Sequence, residues 1–209
     1  MTHDDIVQFF TRESGDFVFA RWGRPISPVI FGVTEDSLPI LKGAIEAVVA
    51  LAGHKMAETD PELGANLMVF FVRDWSELIE TPNLDRLVPD LDPLVAKLEE
   101  AGANQYRIFR FDADGGIKAA FVFLRMDGDM QSVGADTLAL AQMVQTMVLW
   151  SNTAFRSSSP ILALPEGRGS VLRPEIAALL RAAYDPVLPN ASDDASLALR
   201  LAARLEAPQ

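Results

Sequence analysis

Apolar residues at Leu38, Leu41, Ile45, Val48, Val49 and Leu51 recur at helical spacing, and Gly53 follows where a helix commonly ends. The pattern predicts an amphipathic helix from Leu38 to Gly53. Ile6, Phe9 and Phe10 share one face of a shorter N-terminal helix, Thr2 to Glu13, read as a docked arm. Residues 66–72, Asn-Leu-Met-Val-Phe-Phe-Val, form an almost unbroken apolar run, the signature of a strand covered on both faces and the best candidate for a central strand. Residues 17–22 and 28–33 are rich in β-formers and are separated by Gly23-Arg24-Pro25, which predicts two further strands. Tyr106 to Phe111 and Ile117 to Met126 flank Asp112-Ala113-Asp114-Gly115-Gly116, a hairpin signal.

Asp74 to Ile79 starts a short helix, and 80–93, with its prolines and aspartates, reads as connection before a helix from Leu94 to Ala101. A charge-poor helix is expected from about Ser132 to Trp150, then a long loop over Asn152 to Ser170. Pro174 opens a helix to Tyr184, Asp185-Pro186 stops it, and a last helix covers Ser192 to Glu206. This order predicts an α+β fold, a mixed β-sheet with helices packed on it. The expected organisation is a helical arm over 1–16 and a single α+β domain over 17–209, with no internal repeat.

Composition supports a self-sufficient core: of 209 residues 49% are hydrophobic and 22% charged. Eighteen Lys and Arg against 29 Asp and Glu give a net charge of -11, which repels phosphate backbones and anionic lipid, so no nucleic acid is expected as a partner. Thr137 to Phe155 carries no charge, yet Gln142 and Gln145 interrupt it and a bilayer needs about 20 apolar residues, so a buried helix rather than a membrane span is expected. The N-terminus lacks the basic and apolar segments of a signal peptide, and as written the chain is expected in the cytoplasm.

Candidate chemistry is narrowed by what is missing. Without cysteine there is no disulfide, thiol nucleophile or Cys-ligated zinc, and with only His3 and His54 a catalytic zinc would rest mostly on carboxylates. No Gly-x-Ser-x-Gly elbow is present. His54, at a helix C-terminus, is read as an imidazolium facing the dipole. Asp112 and Asp114 begin like a calcium loop, but its twelfth position would be Phe123, which favours a solvated hairpin turn. Asp127, Asp129 and Asp136 are read chiefly as helix-capping groups.

Two features point to a binding surface. Arg21 and Trp22, with Arg24 beside Pro25, place planar cations and an aromatic at a strand end, suited to gripping a carboxylate or stacking on a ligand; a core Trp with a solvated rim is the plainer reading. Gln142 and Gln145 lie in an otherwise apolar helix, where a buried amide needs partners; they either hold the 152–170 loop or face solvent. Asn152 and Arg156, with Ser157, Ser158, Ser159 and Arg168, extend that surface as an anion-binding rim or a flexible loop. The expected ligand-binding groove therefore contains Gln142, Gln145, Asn152, Arg156, Arg21 and Trp22.

The residues Phe19-Ala20-Arg21-Trp22-Gly23-Arg24-Pro25-Ile26, the helix Ala141 to Asn152 and the segment Leu179 to Leu188 together resemble a proteobacterial family, domain of unknown function 2927, over roughly residues 17 to 190. That family is related to zincin metallopeptidases. The resemblance implies a degenerate zincin-like scaffold in which Ala141 and Gln145 stand at the metal-binding histidine positions and Gln142 at the general base. Alanine cannot ligate a metal, and an amide cannot take a proton as a carboxylate can. Family members are generally exported and often carry cysteines, so the resemblance would suggest the periplasm.

The expected function is thus a non-catalytic binding or protein-interaction module without metal or cofactor, its partner a protein or small-molecule ligand. An enzyme using carboxylates (Asp127, Asp129, Asp136, Glu166) or a bound cofactor is the alternative. A structural subunit, for instance a homodimer, is the third.

Overall fold

A capping box opens the chain's first helix. In the computed structural model, which describes residues 1–165 and 169–206, the Asp5 amide donates to the Thr2 hydroxyl at 3.2 Å and the Thr2 amide to the Asp5 carboxylate at 2.6 Å. Two orphan donors are thereby satisfied at the start of α1 (His3–Phe10). This helix stops short of Glu13 because Thr11 turns extended and pairs with Phe17. Ile6 and Phe10 are fully buried in the main core, so the arm is an integral part of it.

The architecture is α+β. β2 (Pro28–Phe31), β3 (Leu67–Val72), β4 (Gln105–Phe111) and β5 (Ile117–Arg125) form a four-stranded sheet in the order β2-β3-β5-β4. β2, β3 and β5 run parallel, and β4 returns antiparallel on β5. The interior strands β3 and β5 are those with nearly continuous apolar sequence, as burial on two faces requires. At the turn leaving β2, Gly32 has φ 78°, and a Cβ there would lie 1.9 Å from the Phe71 carbonyl oxygen. Only glycine fits.

Alternation along the strands sends Leu67, Val69, Ala120, Val122 and Leu124 to one face and Phe70, Val72, Phe121 and Phe123 to the other. The first group joins α1, α2 (Ser37–Leu51), α7 (Ala135–Met147), α8 (Pro174–Ala183) and α9 (Leu197–Glu206) in the main core. The second is covered by α3 (Ser76–Glu80), α4 (Leu84–Leu87) and α5 (Leu91–Glu100) through Trp75, Leu78, Leu84, Leu91, Val95 and Leu98. Short pairings complete the chain: β1 (Phe19–Ala20) with β8 (Ala191–Ser192), and β6 (Ile161–Ala163) with β7 (Ser170–Leu172).

The structure departs from expectation in several places, among them the last helix, which begins at Leu197 because Ser192 pairs in β8. The segment 80–93 is not mainly connection: it holds α4 and the start of α5, each entered through a left-handed residue, Asn83 (φ 60°) and Asp90 (φ 59°). Pro93 falls in the first turn of α5, where no intrahelical amide is needed. α7 ends at Met147 rather than Trp150, because Val148 bridges to Arg21 and the Leu149 amide donates to the Ala20 carbonyl at 2.8 Å. The expected long loop contains the β6/β7 hairpin, and α6 (Gly128–Gln131) precedes α7. Among the described residues no helix is long and apolar enough to cross a membrane.

Candidate functional site

The C-terminal carbonyls of α7 have no intrahelical donors, and aromatic side chains supply them. Trp22 Nε1 donates to the Thr146 carbonyl at 2.8 Å, Trp150 Nε1 to that of Val144 at 2.9 Å and the Tyr184 hydroxyl to that of Met147 at 2.6 Å. Burial pushes the Tyr184 hydroxyl pKa well up, which keeps it a donor. Arg21 does the same for α8. Its guanidinium donates to the carbonyls of Ala183 (2.9 Å), Asp185 (3.0 Å) and Leu188 (2.7 Å) and to Asn190 Oδ1 (3.2 Å), and it lies over the Tyr184 ring. Arg21 and Trp22, 7% and 1% exposed, therefore grip the chain itself and do not line a ligand groove.

Three of the other four expected site residues converge, and Gln142 lies behind them without lining the groove. An open groove of about 870 Å³ lies between β4 on one side and, on the other, the end of α7, the segment 149–156 and the turn at 12–14. Gln145, Asn152 and Arg156 line it, together with Arg12, Arg107 and Trp150. Its aromatic wall is fixed: Trp150 stacks on Phe10 at 5.5 Å and meets Phe155 edge-on at 4.9 Å. Ser151 anchors this wall to the α1 exit, its amide donating to the Phe9 carbonyl and its hydroxyl to that of Thr11, both at 2.7 Å.

Arg107 stands at the floor. Its Nη2 donates to Gln105 Oε1 at 3.0 Å and to Gln142 Oε1, while Gln142 Nε2 donates to Gln105 Oε1 at 3.2 Å. Gln142, 8% exposed, thus serves neither the 152–170 loop nor solvent; it orients an arginine. No carboxylate of the described residues pairs with Arg107, and its buried Nε has no partner. Burial draws its pKa down to about 10, so it remains charged at neutral pH. A half-buried cation with no counter-ion among the described residues carries a desolvation cost.

Arg12 is exposed and makes no side-chain hydrogen bond or ion pair with the described residues. Glu13 is the groove's carboxylate. It accepts from Arg156 Nη1 at 2.6 Å and Asn152 Nδ2 at 3.1 Å, and the Arg156 hydrogen bond holds its pKa below the usual range. Gln145 donates back to the Ala141 carbonyl of its own helix at 3.2 Å. Sequence reasoning missed Arg12, Gln105 and Arg107. The available signal was Arg107 itself, a cation inside a strand that the hairpin pattern places against the core.

Most of the remaining candidates have structural partners. Asp112 pairs with Arg24 at 2.7 Å, and Asp114 accepts from Asn190 at 3.0 Å. Arg24 also reaches Glu62 at 3.1 Å and Asp60 at 3.5 Å, and Lys118 pairs with Glu62. Asp127 caps α6 by accepting from the Met130 amide at 3.0 Å. Glu166 and Arg168 lie outside the described residues. A second depression of about 790 Å³, on the far side of Phe155, offers Asp5 and Glu175 against Arg173, whose Nε already donates to the Ser159 carbonyl at 2.6 Å.

His54 is half-buried, its ring bonded to the main chain rather than facing a helix end as an imidazolium. Its Nε2 donates to the Arg24 carbonyl at 2.8 Å beside the Tyr184 ring, and burial, reinforced by Arg21 and Lys55, holds its pKa below 6.5. The unfolded chain then binds more protons at this position, so the contribution is full above pH 6.5 and is lost as pH falls through the folded-state pKa. Urea midpoints followed downward across that pH should fall faster for the parent than for His54→Gln, which keeps a donor but not the titration.

The chain matches no protein family, curated protein or solved structure.

Proposed function

We propose that this protein is a non-catalytic binding module whose groove, between β4 and the 149–156 wall, receives an anionic ligand. The observation that carries this reading is Arg107, a half-buried, charged guanidinium whose Nε is fully buried and which is oriented by amides rather than neutralised by any carboxylate of the described residues. Arg12 and Arg156 add positive charge at the rim of a chain whose net charge is -11. Guanidinium groups and amides recognise oxyanions through fixed donors. Glu13, ionised and engaged by Arg156, is a poor proton acceptor, so the lining favours recognition over general base chemistry. The resemblance to the zincin-related family supports the same reading, since Ala141, Gln142 and Gln145 would replace ligands and base.

Citrate is a suitable first probe, titrated at low ionic strength with Trp150 fluorescence and calorimetry as readouts. Arg107→Gln should weaken citrate binding by about tenfold or more, the scale of a lost charge-assisted contact, while leaving thermal stability nearly unchanged because a half-buried charge without a counter-ion is gone along with its hydrogen bonds. Unchanged citrate affinity in this variant would refute the proposal.

A further inference from the structure

β4 is an edge strand, and among the described residues nothing pairs with its outer side. The phase of its ladder is fixed by the Arg125 amide, which donates to the Asn104 carbonyl at 2.8 Å. In an antiparallel pair the hydrogen-bonded positions alternate, so Asn104, Tyr106 and Ile108 turn their main chain toward β5, and Gln105, Arg107 and Phe109 turn theirs outward. Outward N–H and C=O groups are a template for another strand. The register shift between Arg110 and Phe111 lies at the far end and leaves Gln105 to Phe109 regular.

The three residues with outward main chain also line the groove. β4 carries Arg107 and Arg110 and no carboxylate, and Arg12 and Arg156 face it from the opposite wall. A second copy is a poor occupant, because antiparallel self-pairing would bring like charges together. Nucleic acid is opposed by the overall charge of -11 and offers no peptide ladder. What fits is a chain with main-chain donors and acceptors along one edge and negative charge on one face.

We infer that the outer edge of β4 takes an extended acidic peptide segment of a partner protein by strand addition. This rests on the anion-groove reading and names its ligand. The peptide backbone pairs with Gln105, Arg107 and Phe109, and carboxylates at alternate positions meet Arg107, Arg12 and Arg156. Intervening side chains fall on the opposite face, beside Tyr106, which is 38% exposed. The Arg156–Glu13 pair, with side chains 60% and 57% exposed, is readily exchanged, so an incoming carboxylate can take Glu13's place.

The test uses the full chain and a synthetic eight-residue peptide alternating glutamate with threonine, two analogues N-methylated at alternate amides in one phase or the other, a lysine version, and citrate. The acidic peptide should bind and slow amide exchange at Gln105, Arg107 and Phe109. One N-methylated phase should bind about tenfold more weakly, the loss expected for two or more main-chain hydrogen bonds, and the lysine version should not bind. Arg107→Gln and Arg12→Gln should each weaken the acidic peptide; the exposed, unpaired Arg12 provides a variant with little risk to folding. If both N-methylated analogues bind like the parent while Arg107→Gln abolishes binding, strand addition is overturned and the anion groove stands. Citrate binding that depends on Arg107, with no peptide binding, has the same meaning. Indifference of both probes to both substitutions overturns the inference and the function beneath it.

Discussion

Arg21→Met should lower unfolding free energy by about 3–5 kcal/mol, the scale of breaking a buried charged network. The guanidinium is 7% exposed and serves the carbonyls of Ala183, Asp185 and Leu188 at 2.7–3.0 Å, with Asn190 at 3.2 Å. Methionine approximates its volume but donates nothing, and each buried carbonyl left without a donor costs about 1–3 kcal/mol. These acceptors lie at the end of α8 and in the chain beyond it, so their release also loosens the approach to α9 and the β1/β8 pairing. Arg21→Lys should rescue only in part: an ammonium has the charge, but not the planar fork that spans three carbonyls. Urea denaturation decides the matter. A loss in Arg21→Met below about 1 kcal/mol, the worth of one ordinary hydrogen bond, would show that the clamp is not what holds this corner.

The clamp also shows where sequence reading ends. Helices and strands were legible wherever periodicity was strong, as in α2, β3, the β4/β5 hairpin and α8, because one face or two must be buried and the pattern records which. The segment 80–93 was misread because Asn83 and Asp90 adopt left-handed conformations that composition does not announce. Half of the groove was visible in Gln145, Asn152 and Arg156, since polar residues beside an apolar helix demand an explanation. Arg21 and Arg107 were not distinguishable in this way: one guanidinium meets a ring of carbonyls, the other a pair of amides and an open groove. That difference depends on which main-chain groups lie within about 3 Å, a tertiary fact. Gln142 illustrates the same point, for an amide in an apolar helix calls for partners if buried, but its partner sits on a strand 35 residues away in sequence.

Val144→Asp should leave little folded protein at neutral pH. Val144 is wholly buried in the main core near the C-terminal end of α7, and its carbonyl accepts from Trp150 Nε1 at 2.9 Å. An unpaired buried carboxylate costs several kcal/mol, and the lost apolar packing adds to it, against a total stability of about 5–15 kcal/mol for a domain. The damage extends to the groove, because the Trp150 wall is hung from that same carbonyl. Leu140→Asp, one turn earlier but half-buried, should be milder, since its carboxylate can reach water. Protonation offers a direct check on the cause. A buried carboxyl has its folded-state pKa raised, so Val144→Asp should regain stability relative to the parent as pH falls below that value, whereas damage from cavity or shape alone would be indifferent to pH. Near-ultraviolet circular dichroism and urea titration across acid pH report both effects. A Val144→Asp protein that melts like the parent would mean that this position is not buried in the core.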